Sequence, residues 1–218
     1  MCKFFCNLHR LNQLTVKKTE KLAFGSYYHI YNRGINSCNI FKENENYEYF
    51  LRLYDQYISP VAETYAWVLM PNHFHFLVRI KEENEILPDL TGFGNLSGLM
   101  KLKPPHQHFS NLFNAYTKAV NKRFFRHGAL FERPFQRKKI NDAHHLKLVV
   151  LYIHHNPVHH NFCELATDYP WSSYLTCISV KPTKLHRKPV IGWFDNVANF
   201  KFQHNQKIEV EQIEGWLL

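Results

Sequence analysis

The stretch Glu63-Thr64-Tyr65-Ala66-Trp67-Val68-Leu69-Met70-Pro71-Asn72-His73-Phe74-His75-Phe76-Leu77-Val78-Arg79-Ile80 holds two runs of β-branched and aromatic residues, divided by Pro71-Asn72. Such runs predict strands over 63–69 and 73–80 with a tight connection between them. Side chains alternate across a strand, so His73 and His75 project from one face while Phe74, Phe76 and Val78 project from the other. If the apolar residues pack under helices, the two imidazoles stand together on the opposite face. Two neutral imidazoles so placed make half a site for a divalent cation. In a chain with 15 histidines the pair fits equally well as decoration of an exposed sheet face, and spacing leaves both readings open.

Working outward, residues 27–32 (YYHIYN) read as a strand closed by a turn at Arg33-Gly34. Tyr47, Phe50, Leu51, Tyr54 and Ile58 recur at three- and four-residue steps, which predicts an amphipathic helix over 43–58. Residues 84–105 carry Pro88, Gly92, Gly94, Gly98, Pro104 and Pro105 and read as a loop with a short helix around 96–102. A firmer helix is expected over 107–126, with Phe109, Leu112, Phe113, Tyr116 and Val120 on one face and His127-Gly128 as its stop. The basic stretch 131–140 is read as partly strand. Asp142 is a candidate N-cap for a helix over 143–156, which is expected to end where Pro157 removes a backbone donor.

The resulting order, β-α-β-β-α-β-α, predicts an α+β fold: a ferredoxin-like antiparallel sheet with helices on one face. That unit is expected over 22–175. It follows an N-terminal extension (1–21) ending in Lys17-Lys18-Thr19-Glu20-Lys21 and precedes a C-terminal tail (176–218) of weak pattern.

Across 218 residues, 27 Lys and Arg oppose 18 Asp and Glu for a net charge of +9, and aromatics reach 16%. Cations that follow phosphates and rings that stack on unpaired bases suit single-stranded nucleic acid, although a basic protein without a polyanionic partner has the same counts. Cys2, Cys6, Cys38, Cys163 and Cys177 form no CxxC pair, and their odd number argues against a disulfide framework. Cys2 and Cys6 as a metal clip would be a chance spacing. No apolar run approaches the roughly 20 residues needed to cross a bilayer. Lys3, Asn7, His9 and Arg10 interrupt any signal-peptide pattern. The expectation is a cytoplasmic protein without a membrane association.

Tyr152 and Asn156 lie four residues apart on the predicted helix and so share a face. A tyrosine oxygen can attack a phosphodiester and hold the cut strand as a phosphotyrosine, and an asparagine oxygen can be a third metal ligand. By spacing alone, Tyr152 reads as a half-buried core ring beside Leu148 and Leu151.

The context of the histidine pair, Ala66 to Val78, resembles the HUH strand of single-tyrosine transposases, and more closely that of their REP-associated tyrosine transposase branch. Three further segments fit that branch in its order: Tyr28-His29-Ile30-Tyr31-Asn32-Arg33-Gly34, Tyr152-Ile153-His154-His155-Asn156-Pro157-Val158 and Asp168-Tyr169-Pro170-Trp171-Ser172-Ser173-Tyr174. The resemblance spans residues 24–175. It implies a fold of HUH endonuclease type and a metal-dependent transposase that cuts and transfers single-stranded, hairpin-bearing DNA. His73 and His75 match the metal pair, Asn156 the third ligand, and Tyr152 the nucleophile that becomes joined to a 5′ phosphate. Mg²⁺ or Mn²⁺ is the implied ion, and either a monomer or a homodimer fits.

The chain departs from the pattern at His154-His155, where the family commonly has Glu or another polar residue followed by Leu or Asn. Six histidines (His144, His145, His154, His155, His159, His160) also leave room for adventitious zinc or nickel. Arg33, Arg133, Arg137, Lys138 and Lys139 are candidates for the DNA path, against the alternative of a solvated edge strand. His29 either orients a ligand, touches substrate or is structural, and His155 is a candidate base for Tyr152. Two rival readings share the basic surface: a domesticated, non-cleaving binder of structured single strands, and a metal-dependent phosphoesterase that uses water.

Overall fold

Four strands form one sheet in the order β2-β3-β1-β4: β1 (Tyr27–Arg33), β2 (Ala62–Met70), β3 (His73–Ile80) and β4 (Gln136–Ile140). Every neighbouring pair is antiparallel. The structure, a computed structural model, describes residues 20–90, 102–206 and 208–217. Helix α1 (Asn44–Tyr57) links β1 to β2. Helices α2 (Glu83–Leu90) and α3 (Pro105–Arg123) lie between β3 and β4. This order and connectivity are the ferredoxin-like α+β arrangement expected from the sequence.

Alternation sends Tyr28, Ile30, Phe74, Phe76 and Val78 into a core with Phe50 and Tyr54 of α1 and Phe109, Leu112 and Tyr116 of α3. Burying each such side chain contributes roughly 1.5–3 kcal/mol of transfer free energy. Glu43 and Asn46 start α1 with a reciprocal capping box, and Pro105 opens α3 where no backbone donor is needed.

The expectation of helices on one face is corrected. Helix α4 (Ala143–His159) lies against the opposite face, over Ala66, Val68, Met70 and Leu77. Those four side chains are apolar and could not be left to water, so the sheet is covered on both sides. The tail beyond 175 is corrected with it. It folds into α5 (Tyr174–Ile178), α6 (Arg187–Trp193), α7 (Val197–His204) and α8 (Val210–Leu217). Val190, Phe194, Phe200, Ile213 and Leu217 pack into this second core. Ahead of α5, the Leu69 N–H donates to Trp171 O and the Ser173 N–H to Trp67 O, each at 2.9 Å. The segment 171–173 thereby covers the outer edge of β2, which would otherwise offer unpaired backbone groups.

Element ends shift as local chemistry allows. Asp142 caps α4 through the His145 N–H, as its sequence predicts. The helix continues past Pro157 to His159, because a proline in the last turn forfeits only one intrahelical bond. The basic stretch is strand only over β4, while Phe131 makes an isolated bridge to Gly34. The extension 1–21 lies almost wholly outside the described residues, as do Cys2, Cys6 and all but the last residue of the helix expected around 96–102. Cys38, Cys163 and Cys177 are free thiols. Among the described residues no helix is long and apolar enough to cross a membrane.

Candidate active site

β3 presents His73 and His75 on the α4 side of the sheet, paired in register with Arg33 and Tyr31 of β1. The facing stripe of α4 supplies Tyr152 and Asn156. His73 Nε2 lies 2.8 Å from Asn156 Oδ1, and the His75 and Tyr152 rings meet edge to face with centroids 5.3 Å apart. The four residues predicted from spacing and resemblance are therefore brought together. Tyr31, Arg33, Asn72, His73, His75, Tyr152, His160 and Glu214 are among the residues lining a cavity of about 370 Å³. Asn156 is buried and reaches the site through His73.

The imidazoles are uncharged at neutral pH. Burial lowers His73 to about 4 and His29 to about 3, and drives His75 well below the usual histidine range. His75 Nδ1 lies 2.9 Å from Nε2 of the fully buried His29, and no hydrogen bond engages His75 Nε2 among the described residues. A ring nitrogen held in this way fixes the tautomer and orientation of the other. His73 Nδ1 lies 2.7 Å from Asn72 Oδ1, so both of its nitrogens face amide oxygens. A neutral imidazole carries one N–H and cannot donate to both. With that proton given to Asn72, the Nε2 lone pair and Asn156 Oδ1 point at common space, while Asn156 Nδ2 is left buried without a partner. Such a donor set fits a cation with nitrogen and oxygen ligands. Among the described residues no three His, Cys, Asp or Glu side chains cluster as a metal cage, so an ion here would rest on two imidazoles and an amide.

Tyr152 is 1% exposed, and its hydroxyl donates to Glu214 Oε1 at 3.2 Å. Burial first, then the Glu214 carboxylate, push its phenol above the usual tyrosine range, while Asn156 draws it down. Glu214 sits on α8, in the segment read as a patternless tail. Its contact with Tyr152 spans 62 residues and had no local signal. His29 was within reach of sequence reasoning, since it alternates with Tyr31 on the strand beside the histidine pair. The candidate base His155 is corrected. Its Nδ1 lies on Leu151 O and its Nε2 on His204 O, in the second core.

The five basic candidates separate. Arg33 lines the cavity, with its Nε 3.7 Å from Glu132. Arg133 and Arg137 line an adjoining cleft on the α3 side. Lys138 stands 5.7 Å from the Trp216 ring on α8. Lys139 pairs with Tyr28 and so projects to the α3 side, away from the imidazoles.

A ferredoxin-like α+β layer with two imidazoles on a central strand, facing tyrosine and asparagine on a helix, has the make-up expected of the HUH tyrosine class. The particular relatives agree with it. The fold is similar to a solved structure of a REP-associated tyrosine transposase bound to a REP hairpin, with a TM-score of 0.54 and 16% identity over 75% of this chain and 86% of that one. In sequence, the chain is 25% identical over 112 residues to a Haemophilus influenzae protein described as a candidate REP-associated tyrosine transposase. That match covers 51% of this chain and 58% of the relative, so the chain spans less than two thirds of the relative's length. No family model matches the chain. The likeness to REP-associated tyrosine transposases drawn from the motifs is thus met again in fold and in sequence.

Proposed function

We propose that the protein is a metal-dependent transposase that cuts and rejoins hairpin-bearing single-stranded DNA through Tyr152. The observation that carries this reading is the convergence of His73 and His75 from a strand and Tyr152 from a separate helix on one cavity, with Asn156 held against His73 behind its wall. Kinship with a REP-associated transposase, and likeness in fold to one bound to a REP hairpin, support the choice of substrate.

In this reading the Tyr152 oxygen attacks a phosphorus, the P–O3′ bond breaks, and the 5′ phosphate stays on the enzyme as a phosphotyrosine. The leaving 3′ oxygen takes a proton from solvent. Rejoining reverses the step with another 3′ hydroxyl. Because burial and Glu214 disfavour a free phenolate, the phenol proton has to leave during attack, and the Glu214 carboxylate is its nearest acceptor. His73, His75 and Asn156 would hold Mg²⁺ or Mn²⁺, which supplies polarisation of a phosphate oxygen and offsets charge in the transition state. His29 fixes the ring of His75, and Arg33 at the cavity wall can meet a phosphate.

The deep burial of Tyr152 favours a second reading, a non-cleaving binder of structured single strands. Incubating labelled hairpin DNA with Mn²⁺ separates the two. The proposal expects a protein-linked strand from wild type and none from Tyr152→Phe. A wild-type protein that binds hairpin DNA and forms no adduct fits the binder, and cleavage that survives Tyr152→Phe fits a water-using phosphoesterase.

A further inference from the structure

Beside the candidate active site, on the α3 side of the sheet, lies a second cleft of about 510 Å³ that the cutting chemistry does not use. One wall is a stripe of α3 in which His106, Ser110, Asn114 and Thr117 recur at helical spacing. The other wall is the segment leading into β4, with Arg133, Pro134 and Phe135 ahead of the strand and Arg137 on it. The rings of Phe113, Phe131 and Phe135 form an apolar floor, each within 5.2–5.4 Å of at least one of the others. The volume lies within the roughly 300–1,000 Å³ of small-ligand sites.

The arginines give the cleft its charge. Arg137 is half-buried with its guanidinium 3.8 Å over the Phe135 ring, and its Nε is buried without a hydrogen-bond partner. Burial lowers its affinity for a proton, so the site favours an anion that would restore the lost solvation. Arg133 stands opposite α3, 3.5 Å from Asn114 Oδ1. The acid in the cleft, Glu132, lies 3.7 Å from Arg33 and is partly neutralised there. Asn32 and Glu132 line both this cleft and the cavity of Tyr152, so the two adjoin around the end of β1.

Aromatic rings, polar side chains and guanidinium groups with no carboxylate at ion-pair distance among the described residues are what an unpaired nucleotide requires: apolar contact for its base and donors for its phosphate. We infer that the cleft between α3 and the 129–137 segment is a nucleotide-binding subsite, which holds an unpaired stretch of the DNA strand running on from the Tyr152 cavity. The base meets the edges that the otherwise buried Phe131 and Phe135 present to the cleft, and the flanking phosphate is met by Arg133 and Arg137. This inference rests on the single-strand reading of the active site and adds to it a second, non-catalytic point of grip.

The test is binding, read by fluorescence anisotropy with a short labelled oligothymidylate, and with a blunt hairpin that has no unpaired flank. Arg137→Ala is expected to weaken oligothymidylate binding about tenfold and to reduce the slope of log affinity against log salt by about one. Ser110→Trp, which fills the cleft from α3 and leaves β4 untouched, is expected to weaken it similarly. Neither change is expected to alter binding of the blunt hairpin. A bromodeoxyuridine-bearing oligothymidylate should crosslink to the peptide that carries Phe131 and Phe135. Equal losses on both probes, or no loss with either variant, overturn the assignment. A wild-type protein that ignores oligothymidylate yet forms the Tyr152 adduct overturns the cleft alone. Binding that depends on Arg137 in a protein that never forms the adduct supports the cleft and overturns strand transfer.

Discussion

The two faces of one sheet are built from different chemistry. Under α1 and α3, Phe41, Phe50, Phe74, Phe76, Phe109 and Tyr116 are nearly inaccessible and meet ring on ring. Under α4, the buried set includes His29, His75, His154, His155, Asn156 and His204. The first face gains stability chiefly from dispersion and dehydration, with few buried polar atoms such as the Tyr116 hydroxyl, which donates to Ile40 O at 2.7 Å. The second keeps polar atoms in a place where each needs a partner. That demand is met incompletely at His29 Nδ1 and Asn156 Nδ2, while the α3 side leaves one such atom among the described residues, Arg137 Nε in the adjoining cleft.

Breaking the second face at the proposed nucleophile should have the largest effect. Tyr152→Phe removes the oxygen proposed to attack, so the protein-linked strand is expected to vanish on a denaturing gel. The unfolding midpoint in urea should move little, since the lost bond to Glu214 is long. Breaking the first face should do the reverse. Phe50→Ala is expected to cost about 3–5 kcal/mol of stability by equilibrium unfolding, while adduct formation per folded molecule is retained.

Acid offers a smaller perturbation that acts most strongly on the second face. His204 is held to about 3 by burial, and His154 well below the usual range by burial and then by His204. Each is neutral when folded and takes up a proton at about 6.5 when unfolded. The unfolded state therefore binds more protons, and stability is lost as pH falls from about 6.5 towards 3. At pH 5 the loss from His204 is about 2 kcal/mol, measurable as a lower urea midpoint than at pH 7.5. His204→Phe should flatten that dependence. The smallest change expected is His29→Leu, which frees the His75 ring to turn. It should weaken Mn²⁺ binding about tenfold, read by electron paramagnetic resonance, with secondary structure unchanged.

The same contrast explains what could be read in advance. His73 and His75 follow from strand alternation, and Tyr152 and Asn156 from a helical step of four, because both periods are local. That α4 takes the second face is hinted at by its run Leu146, Val149, Val150, Leu151 and Ile153, apolar on too many sides for a helix with a solvent face. The tail stayed illegible for a different reason. Helices α6, α7 and α8 have only seven or eight residues each and owe their stability to docking, so no long periodic stripe marks them. Glu214 belongs to such a helix, and a contact made only through tertiary packing leaves no trace in spacing.

Helix α8 also carries Trp216, whose indole stacks on the His145 ring at 3.9 Å and lies under the Lys138 ammonium. Only Gly215 separates it in sequence from Glu214, the carboxylate that accepts from Tyr152. Helix α8 thereby places a chromophore close to the Tyr152 phenol. In a variant with Trp67, Trp171 and Trp193 replaced by Phe, indole emission should report in real time on events at the tyrosine, with no label attached.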